Sequence, residues 1–212
     1  MKSLILKDLY NIGHNIKRLP LILAILAVIN NPKSGVVGYI STCVIICSMM
    51  VITTFSFDNI STWNKYAVIM PISRKDVVIS KYIMLFIFSI FGMIAGFFIS
   101  TVIGVFFRNF IIKEVMLESI VSLFISMFLG SIIIPLLYKY GVENARFLII
   151  ICFVIPSFLL SWILKGMNRF NIQVPTELNL KILFACLPIL VIAFIILSIN
   201  ISYKIFKNQE LN

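Results

Sequence analysis

The sequence predicts an all-α polytopic membrane protein, and three observations carry that expectation. Of its 212 residues, 61% are hydrophobic and 12% charged, too apolar a mixture for a soluble domain of this size to cover its own surface. The charges are also segregated, leaving charge-free intervals at 19–32, 34–57, 82–107, 119–138, 147–164 and 182–203. The last five contain 18 to 26 residues, and a helix needs about 20 to cross roughly 30 Å of hydrocarbon. Within lipid the backbone satisfies its own hydrogen bonds, so these runs are expected as helices. The result is one transmembrane domain over residues 1–212 with six spans at those intervals.

The opening MKSLILKDLYNIGHNIKR places Leu4, Ile5, Leu9, Ile12 and Ile16 at helical spacing, with Lys7, Asn11 and Arg18 on the other side. This pattern predicts an amphipathic helix over 1–18 lying on the membrane, its basic residues meeting lipid phosphates. The alternative is a watery extension of the first span. Gly13 weakens the helix, and Pro20 suits a new helix start. Interval 19–32 offers only Leu19–Ile29 as a continuous apolar run, short for a span. A short or tilted span extending past Asn30 and Asn31 is the reading taken. A re-entrant segment and a signal-peptide core are the alternatives, the latter disfavoured because eighteen residues precede the run and no A-x-A site follows.

The cysteines at 43, 47, 152 and 186 all fall inside expected spans, where they act as small apolar residues and imply no disulfide framework. Cys43 and Cys47 share a helical face, but the single histidine, His14, is far from both. Span three carries Gly92, Gly96, Ser100 and Gly104, a small residue at every fourth position that admits a close helix neighbour. Packing within the subunit is expected over a subunit interface. Pro135, Pro156 and Pro188 fall in spans four, five and six and invite kinks.

With six spans, residues 1–18, 58–81, 139–146 and 204–212 share one side and carry 12 Lys and Arg, against 6 on the other. That bias puts both termini in the cytoplasm. The net charge of +10 is spread among all the loops, which argues for orientation and lipid contact and against nucleic acid. Every Asp, Glu, Lys and Arg is expected at or outside a span boundary, whereas ion-coupled carriers place ionisable groups at mid-membrane. There is no G-x-x-x-x-G-K-[ST] to cradle ATP phosphates and no catalytic constellation. The chain is thus expected to be no enzyme and to hold no cofactor; uphill transport would draw its energy from a partner.

Between spans two and three lies TWNKYAVIMPISRKDVVISKY, residues 62–82, more ordered than a simple connection requires. Trp63, Tyr66, Ala67 and Met70 are spaced to share one face of a short helix, with Asn64 and Lys65 turned away. Pro71 closes that helix. Ser73, three residues before Asp76, reads as the N-cap of a new helix running through Val77, Val78 and Tyr82 into span three.

These residues, namely Asp58, Trp63, Tyr66 and MPISRKDVVISKY, together with the opening KDLY, resemble small ABC-2-type permeases, the membrane components of bacterial ABC exporters. The family segment commonly runs acidic residue, W–Y, LP-S-R, then V–KY; Met70 stands here where Leu is commoner. The resemblance covers essentially the whole chain. It implies a type V exporter-like fold with two six-span subunits around one path, the second being another copy or a related permease. It also implies that Trp63, Tyr66, Met70, Pro71, Ser73, Arg74, Lys75 and Asp76 form a coupling segment that docks on a separate cytoplasmic ATPase subunit. An amphipathic helix with aromatic anchors agrees as a helix-in-groove ligand. Against it stand an interfacial aromatic belt for Trp63 and Tyr66, and anionic lipid as the partner of Arg74 and Lys75.

The expected function is therefore the permease subunit of an ATP-driven exporter in a bacterial cell membrane. The Phe, Ile, Met, Ser and Thr of the spans suit an amphipathic peptide or lipid-like substrate. The alternatives are a channel or ion-coupled carrier, and a membrane assembly or immunity protein without transport.

Overall fold

The computed structural model describes residues 1–16, 19–29, 37–69, 72–106, 112–169 and 177–208. Among them only helices occur: α1 (Lys2–Ile16), α2 (Leu19–Ile29), α3 (Val37–Ser48), α4 (Met50–Ile60), α5 (Trp63–Ile69), α6 (Arg74–Phe106), α7 (Ile112–Arg169) and α8 (Glu177–Asn208). Four helical stretches are long and apolar enough to cross a membrane: Gly38–Ile60, Arg74–Val105, Ile112–Ala145 and Leu187–Asn208. They fall where spans two, three, four and six were expected. The first of them joins α3 and α4 across Met49, whose N–H still bonds the Ile45 carbonyl at 3.0 Å.

The intervals expected as spans one and five fall on α2 and on the second limb of α7. With 11 residues, α2 rises only about 16 Å; the rest of interval 19–32 lies outside the described residues. It is tied to α3 by the Tyr39 hydroxyl, which donates to the Leu23 carbonyl at 2.8 Å. Interval 147–164 belongs to the second limb of α7. The break between the limbs is at Gly141 (φ 73°, ψ 171°), within the connection 139–146 expected between spans four and five. A positive φ is readily open to glycine alone, whereas neighbouring helices tolerate a proline within a span. Glycine therefore punctuates this helix.

Helix α6 is the centre of the bundle and touches α1, α3, α4, α5, α7 and α8. It packs closely on α3: a Cβ on Gly92 would lie 2.7 Å from the Cys47 Cβ and 2.9 Å from the Val44 Cα. A Cβ on Gly96 would lie 3.1 Å from the Cys43 Cβ. Ser100 and Gly104 are also buried. On the other sides, hydroxyls join the helices. The Ser126 hydroxyl donates to Ser89 at 3.1 Å, the Tyr82 hydroxyl is 2.6 Å from Ser198 and 2.9 Å from Ser202, and Ser198 donates to the Ser131 carbonyl. Short hydroxyl side chains bridge helices without placing an unpaired polar group in an apolar interior.

The main core runs from Phe88, Met127 and Val191 within the bundle to the end where α1, the end of α4, α5, the start of α6, the Gly141 kink and the end of α8 meet. Leu4, Ile12, Phe55, Ala67, Val78, Tyr138 and Phe206 pack there. The Tyr138 ring meets Phe55 edge-on at 4.9 Å and Phe206 at 5.4 Å.

Candidate functional site

At this end the buried face of α1 is Leu4, Asp8 and Ile12, successive positions four apart. It packs on α4 and α6, so the most buried stripe of the amphipathic helix has a carboxylate in its middle. The buried stripe of α4, Val51, Thr54, Phe55 and Asp58, likewise ends in a carboxylate. From α6, Val77, Val78, Lys81 and Tyr82 point into the same interior.

The charges meet there. Lys7 Nζ is 2.5 Å from Asp58 Oδ1 and 3.1 Å from Asp8 Oδ1; Lys81 Nζ is 2.9 Å from Asp8 Oδ2 and 2.5 Å from Asp58 Oδ2. Each ammonium touches both carboxylates, and all four carboxylate oxygens face an ammonium. The Asp8 Oδ1 contact is one of charge without hydrogen-bond alignment. Asp8, Asp58 and Lys81 are 2% exposed or less, while Lys7 reaches toward the surface. The arrangement is neutral as a whole, the condition under which charges tolerate burial. Aromatic faces close it: Lys7 Nζ lies 4.3 Å from the Trp63 ring and Lys81 Nζ 5.1 Å from that of Phe55.

Asp58 and Lys81 lie within the helical stretches Gly38–Ile60 and Arg74–Val105, at the positions immediately outside the expected spans 34–57 and 82–107. The helices continue past their apolar runs because the two charges neutralise each other and those of α1. The cluster lies at one end of the bundle, and no described ionisable side chain stands between positions 82 and 105 of α6.

Helix α5 sits over the cluster. Trp63 is half-buried and packs on the core, and Ala67 is fully buried. Tyr66 and Ile69 are 56% and 82% exposed, and Ile60, just before α5, is 78% exposed. The aromatic pair expected on one face is thus divided. At about 100° per residue, the buried direction falls between Trp63 and Ala67 and leaves Tyr66 at its edge, turned out with Ile69. Met70 and Pro71, as well as the side chains of Asn64 and Lys65, lie outside the described residues.

Downstream, the Ser73 hydroxyl accepts the Asp76 N–H at 3.1 Å and caps α6. Arg74 donates to the Lys207 carbonyl at 2.7 Å, so this guanidinium closes the end of α8. Lys75 is exposed, its Nζ 5.3 Å from the Tyr203 ring. A cavity of about 520 Å³ opens between Asn59 and Ile60 on α4 and Tyr140, Glu143 and Asn144 around the kink. Among the described residues no group of three or more His, Cys, Asp or Glu side chains is placed to hold a metal ion, and Cys43 and Cys47 are buried free thiols.

The sequence singled out the coupling segment but missed the ion cluster. Its four members were nonetheless present in the motifs quoted above: Lys7 and Asp8 in KDLY, Asp58 as the acidic residue, and Lys81 in the closing KY. The unread feature was that three separate stretches of one pattern contain two acids and two bases.

A family model described as ABC-2 family transporter protein covers residues 3–207. No curated protein and no solved structure matches the chain.

Proposed function

The chain belongs to the ABC-2 family of transporter proteins, and from that premise we propose that it is the permease subunit of an ATP-driven exporter, driven by a separate ABC ATPase docked on α5. Permeases of this family work with an ABC ATPase partner. The observation that supports α5 as the docking point is its division into two faces. Trp63 and Ala67 fasten it to the bundle, while Tyr66 and Ile69, with Ile60 beside them, present large apolar side chains outward. An apolar patch on a short fixed helix is what a groove in a partner takes up.

In this reading Tyr66 and Ile69 contact the ATPase, and Met70 and Pro71 belong to the same coupling segment by sequence. Trp63 holds α5 in place. Ser73, Asp76 and Arg74 shape the start of α6, and Lys75 faces the partner or lipid headgroups. The end carrying α1 and α5 faces the cytoplasm, in agreement with the Lys and Arg bias. The subunit works beside a second copy or a related permease in a bacterial cell membrane, and an amphipathic peptide or lipid-like compound is its substrate class. An ion-coupled carrier is less well supported, because every carboxylate oxygen of the buried cluster already faces a lysine.

Retention of the ATPase during pull-down from detergent tests the docking. Removing a central anchor costs about 2 kcal/mol or more, roughly a thirtyfold loss of affinity, so Tyr66→Ala and Ile69→Ala should each release the partner. Phe98→Ala, on the outer face of α6 and 65% exposed, should not. Equal retention by all three at equal membrane abundance would remove the coupling role from α5.

A further inference from the structure

We infer that the Lys7–Asp8–Asp58–Lys81 cluster is a rigid coupling that carries displacement of α5 into α6; the inference rests on α5 being the ATPase docking point. The contacts form one continuous series. Beneath the exposed Tyr66 and Ile69 lies Trp63, whose ring receives Lys7 Nζ at 4.3 Å. Lys7 holds Asp8 of its own helix and Asp58 of α4, and both carboxylates hold Lys81 of α6. The next residue, Tyr82, holds Ser198 and Ser202 of α8. Lys81 and Tyr82 thus join the ATPase-proximal elements to two sides of the bundle.

Adhesion alone does not account for ionic groups at this spot. Apolar side chains of similar volume commonly hold such a site equally well or better. An apolar contact, however, has no preferred direction and lets one helix slide over another. In the cluster each ammonium is bound by two carboxylates from different helices. Displacing α1, α4 or α6 alone strains two ion pairs at once and begins to strand a charge where water is excluded. The three helices are therefore constrained to move together, and a push on α5 reaches the far end of α6. Lys7, Asp8, Asp58 and Lys81 act as positioning residues for the coupling, with Trp63 as their contact to α5.

Spatial continuity alone does not establish coupling, so the test separates cohesion from transmission. In the complex with its copurifying ATPase, and with the four native cysteines changed to alanine, Val105→Cys near the far end of α6 carries an environment-sensitive fluorophore. Val105 is 67% exposed. Addition of ATP should shift the emission. The quadruple variant Lys7→Met, Asp8→Leu, Asp58→Leu, Lys81→Met should reach the same membrane abundance and retain the ATPase, yet lose the shift. Where the quadruple does not accumulate, Lys7→Met with Asp58→Leu keeps the neutral Asp8–Lys81 pair and should show the same loss in part. A full shift in a variant lacking the cluster would make it adhesive only, and no shift in the unaltered cluster would remove α6 as the recipient; either overturns the inference. Failure of any ATPase to copurify would instead overturn the docking on which it rests.

Discussion

Replacing Asp58 by asparagine changes few atoms but leaves the buried cluster with one excess positive charge. Lys81, 2% exposed, keeps only Asp8, and that carboxylate is then shared between two ammonium groups. Removing one partner of a buried ion pair typically costs about 3–5 kcal/mol. The lower figure is appropriate here, because the Lys7 side chain is 22% exposed and water reaches its edge of the cluster. At about 2–4 °C per kcal/mol for a chain of this size, a cost of about 3 kcal/mol lowers the melting temperature by roughly 6–12 °C. The assay is thermal unfolding of the detergent-purified protein followed by tryptophan fluorescence, since Trp63 roofs the cluster. The double variant Lys7→Met, Asp58→Asn restores neutrality and leaves Asp8 with Lys81, so it should recover part of the loss despite carrying one substitution more. Such non-additivity is the mark of direct contact. An Asp58→Asn protein as stable as the parent, or a double variant showing the simple sum of its singles, would refute the cluster.

Gly92→Ala should weaken the α3–α6 seam more than Gly96→Ala, because its new methyl group meets the Val44 backbone at 2.9 Å whereas the nearest atom to the other is a side-chain carbon at 3.1 Å; melting temperatures rank the two. Tyr82→Phe removes two hydroxyl contacts to α8 at about 0.6 kcal/mol each, and stability should fall by roughly 1 kcal/mol with the ATPase retained. The proposed topology has positions 34 and 171 outside and 64 in the cytoplasm, so an impermeant thiol reagent on whole cells should label Ser34→Cys and Asn171→Cys but not Asn64→Cys; labelling at Asn64 would overturn the six-span topology.

Much of the helical framework is legible because span limits follow from where charges stop, and a cap such as Ser73–Asp76 is local in sequence. The cluster is not local. Lys7 and Asp58 are 51 positions apart and Asp8 and Lys81 are 73 apart. A charge beside an apolar run reads as the end of a span, since only a tertiary partner makes its burial affordable. The same limit hid the orientation of α5, because seven residues make fewer than two turns and the bundle beneath decides which face is covered. The break in α7 comes at Gly141, inside the connection expected at 139–146, but that a glycine with positive φ would make it was not legible. The partner of Gly92 was also beyond reach: a stripe of small residues announces a close neighbour but does not say which helix it is.

Docking of an ABC ATPase on α5 is tested most directly by a photo-crosslinking amino acid placed at Ile69 in the living cell, with Phe98 as the lipid-facing control. Both side chains are well exposed in the isolated chain. Ile69 should give a discrete adduct with a protein containing G-x-x-x-x-G-K-[ST], and Phe98 should not. Adducts at Ile69 with lipid alone, indistinguishable from those at Phe98, would contradict the account.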